Sequence, residues 1–129
     1  MISQREIVLL SFPFSNLRTS KVRPAIVISN NEYNKNSDDI IAVPLTSNLK
    51  IRDYAFLITN RDLERGRLIV DSNVKVDRIF SVDKKLVRLT IGRVSRNVHK
   101  RIKEIISELL ALMTSLKWNK TKISVLRPE

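Results

Sequence analysis

EIVLLSFPFSNLRTSKVRPAIVIS, residues 6–29, is the stretch that decides the fold: two short apolar runs joined by a polar segment without regular periodicity. The first, EIVLLSFPF from Glu6 to Phe14, reads as a strand that stops at Pro13, because proline has no N–H to give to a ladder. Ser15 to Val22 (SNLRTSKV) reads as a loop, in which Arg18, Lys21 and the neighbouring hydroxyls are potential phosphate contacts. Pro24 to Ser29 (PAIVIS) is short, β-branched and followed by the turn-forming Asn30, Asn31 and the 34–39 segment, so it reads as a second strand.

The same grammar continues downstream. Ile40 to Leu45 (IIAVPL) is a nearly continuous apolar strand, with Pro44 near its end, which leaves Thr46 and Ser47 at the strand terminus. YAFLIT (54–59) gives a fourth strand, and NRDLERG turns the chain, with Gly66 supplying a flexible backbone. Leu68 to Asp71 and Val74 to Val82 supply two more strands. Many short strands close together imply a small barrel or a strongly bent sheet. After Gly92 the period changes: Val98, Ile102, Ile105, Leu109, Leu112 and Leu116 recur in steps of four and three, with Ser95 as N-cap. This predicts an amphipathic helix from Ser95 to about Leu116, widened by Ile106, Leu110 and Met113, that covers one face or mouth of the sheet in an α+β domain. Residues 1–116 are expected to form one domain, with 117–129 a basic tail to which no structure is assigned.

A chain of 129 residues with 43% apolar content is a single globular domain. Lys and Arg number 24 against 13 Asp and Glu, for a net charge of +11, so a polyanionic partner is expected. The excess is uneven, because residues 84–129 carry 12 basic and 3 acidic side chains whereas residues 1–83 carry 12 and 10. Charge alone leaves RNA, DNA, an anionic membrane and an acidic protein all open. With no cysteine there is no disulfide framework, no thiolate metal site and no cysteine nucleophile. No secretory leader pattern opens the chain, and no apolar run approaches the roughly 18 residues that cross a bilayer, so a soluble cytoplasmic protein without membrane association is expected.

His99 is the only histidine and has no HExxH or HxH companion, so no metal site is expected. Asp38 and Asp39 sit in an Asn-rich connection as turn residues rather than a magnesium pair, and no glycine-rich phosphate loop is present, so no cofactor is expected either. What is left is arginine and hydroxyl chemistry at strand ends. RNA allows such economy, since its own 2′-OH can attack the adjacent phosphate while the protein aligns groups and stabilises charge. Arg23 before a strand and Thr46 after one are the candidates, although spacing does not show that they meet.

These residues also carry a likeness. The opening block with Arg23-Pro24-Ala25-Ile26-Val27-Ile28-Ser29, then IIAVPLTSN, then DSNVKVDRIFSVDKKLVRLTIGRVS, resembles in order and spacing the MazF/PemK-like toxins of type II toxin–antitoxin pairs. The resemblance implies an SH3-like, strongly bent β-barrel with a C-terminal helix. It implies a homodimeric, metal-independent endoribonuclease that cuts single-stranded RNA to 2′,3′-cyclic phosphate and 5′-OH ends, held in check by a cognate acidic antitoxin. On that pattern Arg23 and Thr46 are catalytic, the loop from Phe14 to Val22 with Arg18 and Lys21 flanks the scissile site, and Ser47, Ser72 and Arg78 line the RNA path. The pattern is departed from at two places: its Gly-Asp before the first strand is Arg5-Glu6, and the glutamine of its DQI-like triplet is Arg78. The second exchanges an amide that reads base edges for a cation that prefers phosphate or guanine, so no cleavage motif carries over. The rival reading keeps the fold without the chemistry, as in gyrase-inhibiting toxins or a basic module that binds DNA or a topoisomerase. Joint retention of Arg23 and Thr46 favours the enzyme.

Overall fold

The computed structural model describes residues 1–11 and 21–112. Among these residues there are eight strands: β1 (Glu6–Ser11), β2 (Val22–Val27), β3 (Asp39–Thr46), β4 (Ala55–Ile58), β5 (Leu63–Gly66), β6 (Ser72–Lys75), β7 (Phe80–Asp83) and β8 (Val87–Val94). A short helix α1 (Asn31–Asn36) and a longer one, α2 (Arg96–Leu110), complete the elements of the described residues. The strands run antiparallel in the order β4-β6-β3-β2-β1-β8-β5, with β7 paired to β3 beside β6. This curled sheet with one long C-terminal helix is the α+β bent-barrel architecture expected from the pattern of short strands.

The central strands read as continuous apolar runs because both of their faces are buried. On one face Ile7, Ile26, Val43, Leu45, Val74 and Val94 meet Val98, Ile102 and Ile105 of α2. On the other, Val8, Leu10, Ala25, Val27, Ile40 and Ala42 form a second cluster under Phe80, Val82 and Val87. Side chains alternate strictly between the two.

The edge of β3 opposite β2 is shared. Its first half pairs with β7 (Ala42 opposite Phe80) and its second half with β6 (Leu45 opposite Val74). Between these two pairs β3 advances three residues and its partner six, the surplus being taken up by a 3-10 turn at Val76–Arg78. The single strand expected over 74–82 is therefore two. Residues 68–71, expected as a strand, are instead the connection between β5 and β6, with only Leu68 buried.

Three further expectations are adjusted. The Asn-rich segment is not merely a turn, because Asn30 caps α1 by accepting the Tyr33 N–H at 2.8 Å. Ser29 fastens it to the sheet: the Asn34 amide donates to its carbonyl at 3.0 Å and the Ile41 N–H to its hydroxyl at 2.9 Å. Gly66 does need a left-handed backbone, with φ +81°, but at the end of β5 against β8. Helix α2 is capped by Ser95, whose hydroxyl accepts the Val98 N–H at 3.3 Å, and it ends at Leu110 rather than near Leu116. Leu110 is exposed instead of widening the stripe, and Leu112 is exposed instead of continuing it; Met113, Leu116 and the 117–129 tail lie outside the described residues.

Arg5 holds φ +77°, a conformation that costs about 1 kcal/mol or more for a residue with a Cβ. The glycine of the toxin pattern would adopt it freely. Here the strain is offset by the guanidinium, whose Nη1 donates to Glu64 and to the Val94 carbonyl, both at 2.9 Å. Glu6 beside it is buried, accepting the Ser3 N–H at 2.8 Å and facing Arg65 at 3.4 Å. Both departures at this corner thus serve the fold.

Candidate active site

Strand register brings Arg23 and Thr46 together. β2 and β3 pair with Ala25 opposite Pro44, and continuing that register by two residues sets Arg23 opposite Thr46. Thr46 in turn pairs with Asn73 of β6, and Arg23 with Leu10 of β1. Directly opposed residues of antiparallel strands point to one face with Cβ atoms about 5 Å apart. Leu10 belongs to the cluster on the face away from α2, so the row Leu10–Arg23–Thr46–Asn73 emerges on that side of the sheet.

Arg23, Thr46, Ser47 and Ser72 line one cleft of about 480 Å³. Its walls are Leu9, Pro24, Pro44 and Phe80, with Ile69 and Val70 from the β5–β6 connection. Among the described residues the charged side chains in the lining are Arg23 and Lys75, both cations, and no carboxylate faces in. Arg23 is exposed and makes no ion pair with a described residue. A guanidinium fork without a carboxylate partner, beside hydroxyls and a second cation, suits a phosphodiester.

The other expected contacts are more scattered. Lys21 is exposed at the entrance to β2 and Arg78 is exposed on the 3-10 turn, neither lining the cleft. Arg18 and nearly all of the loop from Phe14 to Val22 lie outside the described residues. Ser72 is buried, its hydroxyl donating to the Val70 carbonyl at 3.0 Å, so it shapes the wall. Lys75 was not legible as a site residue. It stands immediately before the 3-10 turn at the break between β6 and β7, and a period-2 reading of 74–82 has no such break.

Among the described residues no cluster of three His, Asp or Glu could hold a metal ion. His99 lies on α2, outside the cleft lining. Its Nδ1 is buried without a hydrogen-bond partner among the described residues. Burial first, then the positive charges of Lys103 and Arg5, push its pKa below the usual 6.5. The folded state thus favours neutral imidazole. The stability this contributes is complete above about pH 6.5 and is lost as pH falls through the lowered folded value. Thermal unfolding of the wild type should accordingly drop more between pH 7.5 and 5 than that of His99→Gln, and parallel curves would dismiss the idea.

A family model described as PemK-like, MazF-like toxin of type II toxin-antitoxin system matches residues 3–110. The chain belongs to this toxin family. No curated protein sequence matches it. Among solved structures, the toxin's fold is similar to a MazE–MazF complex from Deinococcus radiodurans, with TM-score 0.71 and 22% identity over 87% of this chain and 98% of that one. It is also similar to an endoribonuclease in complex with its cognate antitoxin from a Mycobacterial species, with TM-score 0.70 and 18% identity over 88% and 99%. A Mycobacterium tuberculosis MazF toxin aligns with TM-score 0.67 and 15% identity over 85% and 100%. At these identities the likeness is one of fold. Among the described residues no helix of the toxin is long and apolar enough to cross a membrane.

Proposed function

We propose that this toxin is a cytoplasmic, homodimeric endoribonuclease that cuts single-stranded RNA without a metal ion. The observation that carries the reading is that Arg23 and Thr46, near the ends of the paired strands β2 and β3, line one cleft whose charged lining is wholly cationic. In the reaction the 2′-oxygen bonds to the adjacent phosphorus as the bond from phosphorus to the 5′-oxygen breaks. The 2′-OH gives up its proton and the leaving 5′-oxygen gains one. Arg23 spans the phosphorane oxygens with two parallel bonds and takes part in proton transfer, while the Thr46 hydroxyl donates to the same group. Lys75 adds positive potential, and Ser47 lies beside Thr46 along the RNA path.

The basic surplus of the chain fits a restraining partner of opposite sign. An acidic antitoxin segment that orders on binding and covers Arg23 would exclude RNA by occupying its phosphate positions. A mycobacterial endoribonuclease of this fold is known in complex with its cognate antitoxin.

Incubation with a single-stranded RNA oligonucleotide in excess EDTA tests the chemistry. Cleavage should proceed and leave 2′,3′-cyclic phosphate ends. An absolute requirement for added magnesium would refute the mechanism.

A further inference from the structure

The row that carries Arg23 and Thr46 continues into β6 at Asn73, which is 6% exposed and does not line the cleft. Its side-chain nitrogen Nδ2 donates to two carbonyls, those of Asn48 and Lys50, each at 3.1 Å. Both hydrogens of the amide are used. Since two acceptors converge there, the nitrogen rather than the oxygen must face them. Asn73 thereby fastens the segment that follows Thr46 from 25 and 23 residues away in sequence.

Within that segment the bonds run back toward the cleft. The Lys50 N–H donates to Asn48 Oδ1 at 3.1 Å, and the Asn48 N–H donates to Thr46 Oγ1 at 3.1 Å. A hydroxyl oxygen that accepts one such bond keeps its own hydrogen for another direction. Among the described residues nothing accepts that hydrogen, and Thr46 lines the cleft with Arg23.

We propose that Asn73 is a positioning residue for cleavage: by holding Asn48 it keeps the Asn48 N–H on Thr46 Oγ1 and so aims the Thr46 hydroxyl hydrogen at the scissile phosphate. The inference rests on the reading of Thr46 given under Proposed function. A bond aimed at charge that develops in the transition state acts on kcat rather than on substrate affinity. Serine at position 73 is too short to span both carbonyls. Asn48→Ala removes the Lys50 clamp at an exposed position, where folding is not at stake.

The test measures kcat and KM on a short single-stranded RNA for Thr46→Val, Asn73→Ser and Asn48→Ala, and for the latter two combined with Thr46→Val. A misplacement of about 1 Å costs about 10²-fold in rate, so Asn73→Ser should lower kcat by that order and Asn48→Ala by about 10-fold, with KM within about 3-fold. Neither should slow the Thr46→Val protein further. If Thr46→Val is slow but the other two cleave at the wild-type rate, the positioning role is wrong and Thr46 stands. Equal losses with and without the Thr46 hydroxyl would mean a merely structural contact and also overturn it. Should Asn73→Ser not fold, Asn48→Ala decides by the same two criteria. Full activity of Thr46→Val would overturn the reading of Thr46 and this inference with it.

Discussion

Alanine in place of Arg23 is expected to slow RNA cleavage by on the order of 10²-fold or more, the effect of removing one donor aimed at transition-state charge. The side chain is exposed and has no ion pair with a described residue, so its loss should leave the melting temperature nearly unchanged. Arg23→Lys should fall between, because it keeps the charge but not the planar fork that grips two phosphate oxygens. Single-turnover rates with a matched thermal melt separate the cases. An unaltered rate for Arg23→Ala would move the chemistry elsewhere, and a fall in melting temperature that accounted for the lost activity would make Arg23 a folding residue.

Gly66→Ala should produce the largest loss of stability from a single methyl group. At φ +81° any Cβ is strained, and here it would lie 2.2 Å from the Ile91 carbonyl oxygen and 2.3 Å from the Gly92 Cα. Both are backbone atoms of β8, so no side-chain rotation relieves the clash, and β5 must separate from β8. Strain of this kind costs on the order of 3 kcal/mol, which lowers the melting temperature by roughly 10 °C in a domain of this size. A melt within about 2 °C of wild type would show that the β5–β8 edge yields more easily than its geometry requires.

The sequence announced the central strands clearly because burial on both faces gives PAIVIS and IIAVPL uninterrupted apolar character, which turns do not share. It also carried Arg23 and Thr46 as strand-end residues. Their meeting was not legible, since it depends on a register set by Ala25 against Pro44 that no local pattern encodes. The same holds for Asn73, whose partners are more than 20 residues away. β8 reads VRLTIGRV, with three of its first five residues exposed, so its place between β1 and β5 comes from tertiary pairing. The end of α2 is not marked in the sequence, because neither glycine nor proline stands within the ten residues after Leu110 and the apolar period runs on past it.

The three surplus residues between β6 and β7 act as an expansion joint in the sheet. Within a strand, gaining or losing one residue turns every following side chain to the opposite face. In the 3-10 turn at Val76–Arg78 such a change is absorbed locally, with Asn73 still opposite Thr46 on one side and Phe80 opposite Ala42 on the other. The chain can therefore vary in length and in charge at this point, Arg78 included, while the alignment that sets Thr46 in place stays indexed.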